Sequence, residues 1–120
     1  MSSTPSLRDL KFESYDVGQN IKASKKLFKW TFYMNGNKQI VELFQSKISG
    51  KRKAMHNGNF LYEDMSYNVD FSYSFYIDKI YCNIIQIDDD RFEFRIMNRA
   101  FSILMEEGNI IITKKKINIV

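Results

Sequence analysis

The stretch "LFKWTFYMNGNKQIVELFQSKI", residues 27–48, decides the fold. Phe28, Trp30, Phe32 and Met34 alternate with Leu27, Lys29, Thr31 and Tyr33. Neighbouring side chains on a strand point to opposite faces, so this run has one apolar face and one mixed face. A helix would need apolar positions three and four apart. Asn35-Gly36 then closes a two-residue turn of type I′, whose two central residues both need positive φ. "KQIVELFQSKI" (38–48) returns as the partner strand. The reading is a β-hairpin, and its pattern repeats along the chain.

Downstream, "SGKR" (49–52) is a tight turn in which Ser49 and Gly50 supply the bend and Gly accepts positive φ. "KRKAMH" leads into a second Asn-Gly at 57–58, and "FLYE" (60–63) follows as a short strand. "VDFSYSFYI" (69–77) alternates Val69, Phe71, Tyr73, Phe75 and Ile77 against Asp70, Ser72, Ser74 and Tyr76. "IYCNIIQI" (80–87), "RFEFRIM" (91–97), "AFSIL" (100–104) and "NIIIT" (109–113) read as further strands, with turns at "DDD" (88–90) and Asn98-Arg99. Upstream, "LKFESYDV" (10–17) is a candidate first strand, and residues 18–26 read as a polar loop. Turn signals every 8 to 12 residues or so, with no Pro beyond Pro5, define an all-β chain. The expected fold is an antiparallel β-sandwich of about eight short strands with little or no helix. Residues 1–26 form an N-terminal arm, 27–113 the sandwich domain, and 114–120 a basic tail or edge strand. The expected core is Trp30, Phe71, Tyr73, Phe75, Ile84, Phe92, Phe94 and Ile96.

Composition narrows the class. The 120 residues are 44% hydrophobic and 15% aromatic, enough to build one core rather than a disordered chain. No apolar run reaches the roughly 18–20 residues that span a bilayer. "MSSTPSLRDL" has no signal-peptide apolar region. Cys82, the one cysteine, lies in an apolar strand and reads as a buried thiol. These features point to a reducing, cytoplasmic setting.

The chemistry-bearing motifs are weak. Gly50-Lys51 lacks the full spacing and the following helix of a phosphate loop. His56, the one histidine, sits at a strand end beside Asn-Gly, where a satisfied or solvated side chain is the ordinary case. No serine has a nucleophile-elbow context. Asp88-Asp89-Asp90 and Glu106-Glu107 read as solvated turn acids. One His and one Cys make no zinc set, and "DDDRFEFRI" lacks the Gly and closing Glu of a calcium loop. The expectation is no enzyme, no cofactor and no metal. The RNA-recognition signature is missing, so nucleic acid is not favoured.

The order of an aromatic strand with Trp, then "IVELFQS", then "SGKR", a strand and "NG", and finally "FEFRIMNRAF" resembles one domain of the Fas apoptotic inhibitory molecule family. The matching positions are Val41, Glu42, Leu43, Ser49, Gly50, Lys51, Arg52, Asn57, Gly58, Phe92, Phe94, Ile96 and Asn98, within residues 28–104. The resemblance implies a compact β-sandwich without a catalytic centre, acting through protein contacts in cell death and protein aggregation. Animal members carry two such domains, and "HNGN" stands here where they have an acidic "DG".

Charge points the same way. Residues 1–60 hold eleven Lys/Arg against four Asp/Glu, and residues 61–120 hold seven against ten. The candidate partner-contact residues are Lys25, Lys26, Lys51, Arg52, Lys53, Lys114, Lys115 and Lys116, and the expected partner is an acidic protein surface. Arg52 is expected to pair with Glu42 and pin two strands. A free interaction module is the first reading. A small architectural subunit of a cytoskeletal or axonemal assembly, with a cytoskeletal or ciliary location, is the second. A nucleic-acid or lipid-binding β-domain is the third.

Overall fold

A computed structural model describes residues 4–108. The candidate strand 109–113 and the tail lysines Lys114, Lys115 and Lys116 lie outside the described residues. As an all-β sandwich requires, the strands make two antiparallel sheets, one of five strands in the order β1-β2-β3-β4-β5 and one of four in the order β6-β7-β8-β9. The chain divides into two compact units at Val69/Asp70, one holding each sheet.

The five-stranded sheet is built from β1 (Leu7–Asp16), β2 (Lys25–Met34), β3 (Asn37–Ser46), β4 (Lys51–His56) and β5 (Asn59–Met65). The hairpin forms as read over its centre, with every residue paired from Lys25↔Ser46 to Met34↔Asn37, but the return strand ends at Ser46 and residues 47 and 48 belong to the following turn. Both Asn-Gly turns have positive φ at both residues, 50° and 82° at Asn35-Gly36 and 49° and 81° at Asn57-Gly58. Phe28, Trp30, Phe32, Met34, Val41, Leu43 and Ala54 are buried on one face, called here the inner face. The candidate first strand over 10–17 is present and starts earlier, as β1 from Leu7 to Asp16. β1 adds along β2, because Phe12 and Ser14 continue the alternation opposite Trp30 and Phe28. The loop expected over 18–26 contains one 3-10 turn, Lys22–Ser24, and gives way to β2 at Lys25.

The four-stranded sheet comprises β6 (Ser72–Ile77), β7 (Ile80–Asp88), β8 (Arg91–Ile96) and β9 (Arg99–Ala100). Phe71, Phe75, Ile77, Cys82, Ile84, Phe92, Phe94 and Ile96 are buried together on its inner face. Stacked and edge-on rings link them, with Phe75 and Phe94 centroids 6.1 Å apart and Phe71 and Phe92 6.0 Å apart. Tyr73 shares this face but is only half-buried, and Val69 is exposed because β6 begins three residues later.

Two expectations change here. Residues 101–108 are helical (α1), not a strand. Phe101 is buried, Leu104 and Met105 are half-buried, and Ile103 is exposed, which is the three-to-four spacing of a helix. The turn before it is Met97-Asn98, with φ of 52° and 64°, one residue earlier than expected. Asp78-Lys79 turns in the same way with φ of 47° and 70°. Glycine is absent from both of these hairpins, so sequence carries a weaker mark of them.

Candidate functional site

The register sorts the basic first half onto two faces. Lys53 lies opposite Phe44, Lys25 opposite Ser46, and Lys51 opposite Met65, all on the outer face of the five-stranded sheet. The Lys25 and Lys53 ammonium groups stand 5.3 Å and 5.2 Å from the centre of the Phe44 ring. Both distances lie within the range of cation–π attraction. Together with Ser46, Ser49, Lys51 and Glu63 they line a depression of about 220 Å³. Among the described residues, none of these three lysines has a carboxylate oxygen within 4.0 Å.

The other two described candidates are elsewhere. Lys26 is one residue from Lys25 and therefore on the opposite face, across from Asp16. Arg52 is 2% exposed and points inward between Lys51 and Lys53. It meets Asp64, not Glu42. Its Nε and one terminal nitrogen each donate to a different Asp64 carboxylate oxygen at 2.8 Å, and the other nitrogen donates to the Asn68 carbonyl at 2.7 Å. Alternation explains the correction. Glu42 is on the outer face opposite Met55, whereas Arg52 and Asp64 face each other on the inner side. A two-pronged pair of this kind matches the guanidinium fork to a carboxylate, a fit that a lysine could not supply.

The turn behind the pocket is set by small groups. The Ser46 hydroxyl accepts from the Ser49 amide, and the Gly50 amide donates to the Ser46 carbonyl. Gly50 has φ of +76°, and a Cβ there would lie 3.1 Å from the Ser66 carbonyl oxygen. The bend of "SGKR" thus delivers Lys51 and Lys53 to one face and Arg52 to the other.

His56 is engaged structurally. The Ile40 amide donates to Asn57 Oδ1 at 2.8 Å, which leaves Asn57 Nδ2 as a donor to Gln39 Oε1 at 3.1 Å. Gln39 Oε1 is therefore an acceptor, and His56 Nε2, 2.7 Å away, must be the N–H that donates to it. Cys82 is buried, its thiol donates to the Ile80 carbonyl, and burial pushes its pKa up to about 12. A thiol so protonated is a poor nucleophile.

Sequence reasoning missed Phe44, Ser46 and Glu63. Phe44 could have been found, because it shares the outer face with Glu42 and Ile40 in the alternation of "IVELF". Glu63 could not, because its place depends on the pairing of β4 with β5.

No family model, curated protein or solved structure matches this chain. Among the described residues, no helix is long and apolar enough to cross a membrane, and no group of His, Cys, Asp and Glu could hold a metal ion.

Proposed function

We propose that the chain is a non-enzymatic binding module that docks an acidic protein surface on the outer face of its five-stranded sheet. One observation carries this reading: Lys25, Lys51 and Lys53 line one depression beside Phe44, three cations against the single carboxylate of Glu63, which lies across from Lys53 but is not within 4.0 Å of any of the three among the described residues. Like charges held close repel, so a carboxylate arriving from outside relieves that repulsion. The bound roles of His56 and Cys82 support a module without a reacting side chain. The resemblance of "SGKR" and its flanking strands to the Fas apoptotic inhibitory molecule family is a further support, since protein contact is what that resemblance implies. Nucleic acid is less favoured because ammonium groups crowd the Phe44 ring, which a base would need for stacking.

The test is a titration of the isotope-labelled chain with a short polyglutamate peptide. Backbone signals of Lys25, Phe44, Lys51 and Lys53 should move, and the shifts should weaken as salt rises from about 50 to 300 mM. Lys51→Glu with Lys53→Glu should remove the shifts and leave the melting temperature nearly unchanged. Shifts elsewhere in the chain would overturn the assignment. So would tighter binding of a single-stranded oligonucleotide or of anionic vesicles through the same residues.

A further inference from the structure

Each sheet ends in two edge strands, and unpaired edge backbone is a template for another strand unless it is blunted. Among the described residues, three of the four edges are blunted. β1 carries Arg8, Asp9, Lys11, Glu13 and Asp16, and its register breaks between Arg8 and Lys11. β5 carries Glu63 and Asp64 and is bulged where Ala54 and Met55 pair with Tyr62 and Phe60. β9 is two residues long. β6 differs from all three. Its sequence "SYSFYI" has no charge and no Pro, and its register runs unbroken from Ser72↔Ile85 to Ile77↔Ile80.

The free backbone groups can be assigned. The Gln86 amide donates to the Phe71 carbonyl at 2.9 Å, so the backbone of Phe71 faces β7. Direction alternates along an antiparallel strand. Tyr73, Phe75 and Ile77 therefore bond to β7, and Ser72, Ser74 and Tyr76 turn their amides and carbonyls away from it. These same three residues are exposed.

From this geometry we infer that β6 is a homodimerisation edge, pairing antiparallel with β6 of a second copy about a two-fold axis at Ser74. The strand is its own complement. Ser74 meets Ser74 of the second copy, and Ser72 meets Tyr76 on the exposed side. On the other side Tyr73 meets Phe75, a favourable cross-strand aromatic pair. No charge within residues 71–77 opposes the pairing. A foreign strand would need matching length and polarity, whereas a second copy supplies both by symmetry. The pairing consumes the one edge of each copy that is unblunted among the described residues, so assembly stops at two. Two flanking carboxylates, Asp70 and Asp78, come opposite each other at the rims. Salt screens that repulsion, so dimerisation should strengthen with salt. This is opposite in sign to the salt dependence of the outer-face contact, so the two proposals fail separately.

The experiment is sedimentation equilibrium of the full chain over a range of protein concentrations, at low and at moderate salt. A reversible monomer–dimer equilibrium is expected, tightening as salt rises. Ser74→Pro removes an outward amide but no bond to β7, and Ser74→Lys places a charge at the axis. Each should raise the dimer dissociation constant tenfold or more, and far-UV circular dichroism should be retained. Ser14→Lys, on the β1 edge, should leave it unchanged. A chain that is monomeric throughout, or a dimer that survives both Ser74 substitutions, would overturn the inference. So would a dimer weakened equally by Ser14→Lys.

Discussion

On the inner face of the five-stranded unit, seven buried apolar residues share the space with a guanidinium, and Arg52 is held there by Asp64 and the Asn68 carbonyl. On the corresponding face of the four-stranded unit the space is filled by phenylalanine rings, isoleucines and a neutral thiol, with Gln86 at the margin. The charge count follows the same division, with eleven Lys/Arg against six Asp/Glu in residues 1–69 and seven against eight in residues 70–120. A surplus of cations within a small sheet leaves two outcomes for each one. It is held by a carboxylate within hydrogen-bond reach, as Arg52 is by Asp64, or it stays on the outer face with no carboxylate oxygen within 4.0 Å among the described residues, as Lys25, Lys51 and Lys53 do. The four-stranded unit has no surplus of cations to place, and among the described residues its β6 edge carries no charge.

The sharpest way to break this comparison is to remove the central group from each inner face. Phe94→Ala should cost about 3–5 kcal/mol through lost burial and the cavity left beside Phe75 and Phe101. Arg52→Ala should cost about as much, 3–5 kcal/mol or so, for a different reason: it strands the Asp64 carboxylate and the Asn68 carbonyl without donors. Urea melts measure both, and fluorescence of Trp30, the one tryptophan, reports the five-stranded unit directly. If Arg52→Ala cost no more than Lys53→Ala, the guanidinium would be no part of the core.

A smaller effect separates the units by pH. Folding raises the Cys82 thiol from its ordinary value of 9.0 to about 12. The unfolded chain loses this proton first, so the stabilising contribution is complete below pH 9.0 and is lost as pH rises toward 12. The slope from this one group is about 1.4 kcal/mol per pH unit in that window. Cys82→Ala should flatten the alkaline limb of the stability curve by that amount. Equal slopes in the two proteins would mean that the thiol is reached by solvent.

The smallest effect concerns the hairpins. Two hairpins of the five-stranded unit turn on Asn-Gly, and two of the four-stranded unit turn on Asp78-Lys79 and Met97-Asn98 with the same positive φ. A side chain in that conformation costs roughly 1–2 kcal/mol, offset in part by the greater chain entropy of glycine. Lys79→Gly should therefore stabilise the protein, by about 0.5–1 kcal/mol after that offset. Gly50→Ala should do the reverse, because its Cβ would press on the Ser66 carbonyl at the same unfavourable φ. Thermal melts of the two variants should shift in opposite directions.

Sequence by itself determined the class of fold, the central hairpin and its partners' faces, because a period of two in "LFKWTFYM" and "RFEFRI" leaves only one way to bury the apolar residues. Both Asn-Gly turns were legible for the same reason: few residue pairs accept positive φ twice. It also separated Lys51 and Lys53 from Arg52, since alternation along one strand is a local property. What lay beyond it were the relations between strands. Alternation puts Glu42 on the outer face, but that Arg52 meets Asp64 follows from the pairing of β4 with β5 through the Asn-Gly turn at 57–58, which a bulge shifts by one residue. Lys25 comes to Phe44 and Lys53 only when β2, β3 and β4 lie side by side. The helix over 101–108 replaces a strand because Phe101 packs on Phe94, and a short apolar run does not declare its period until it has a partner. Local alternation is written in neighbouring residues, whereas register and partner choice are settled by contacts between segments distant along the chain, and only the tertiary structure decides those.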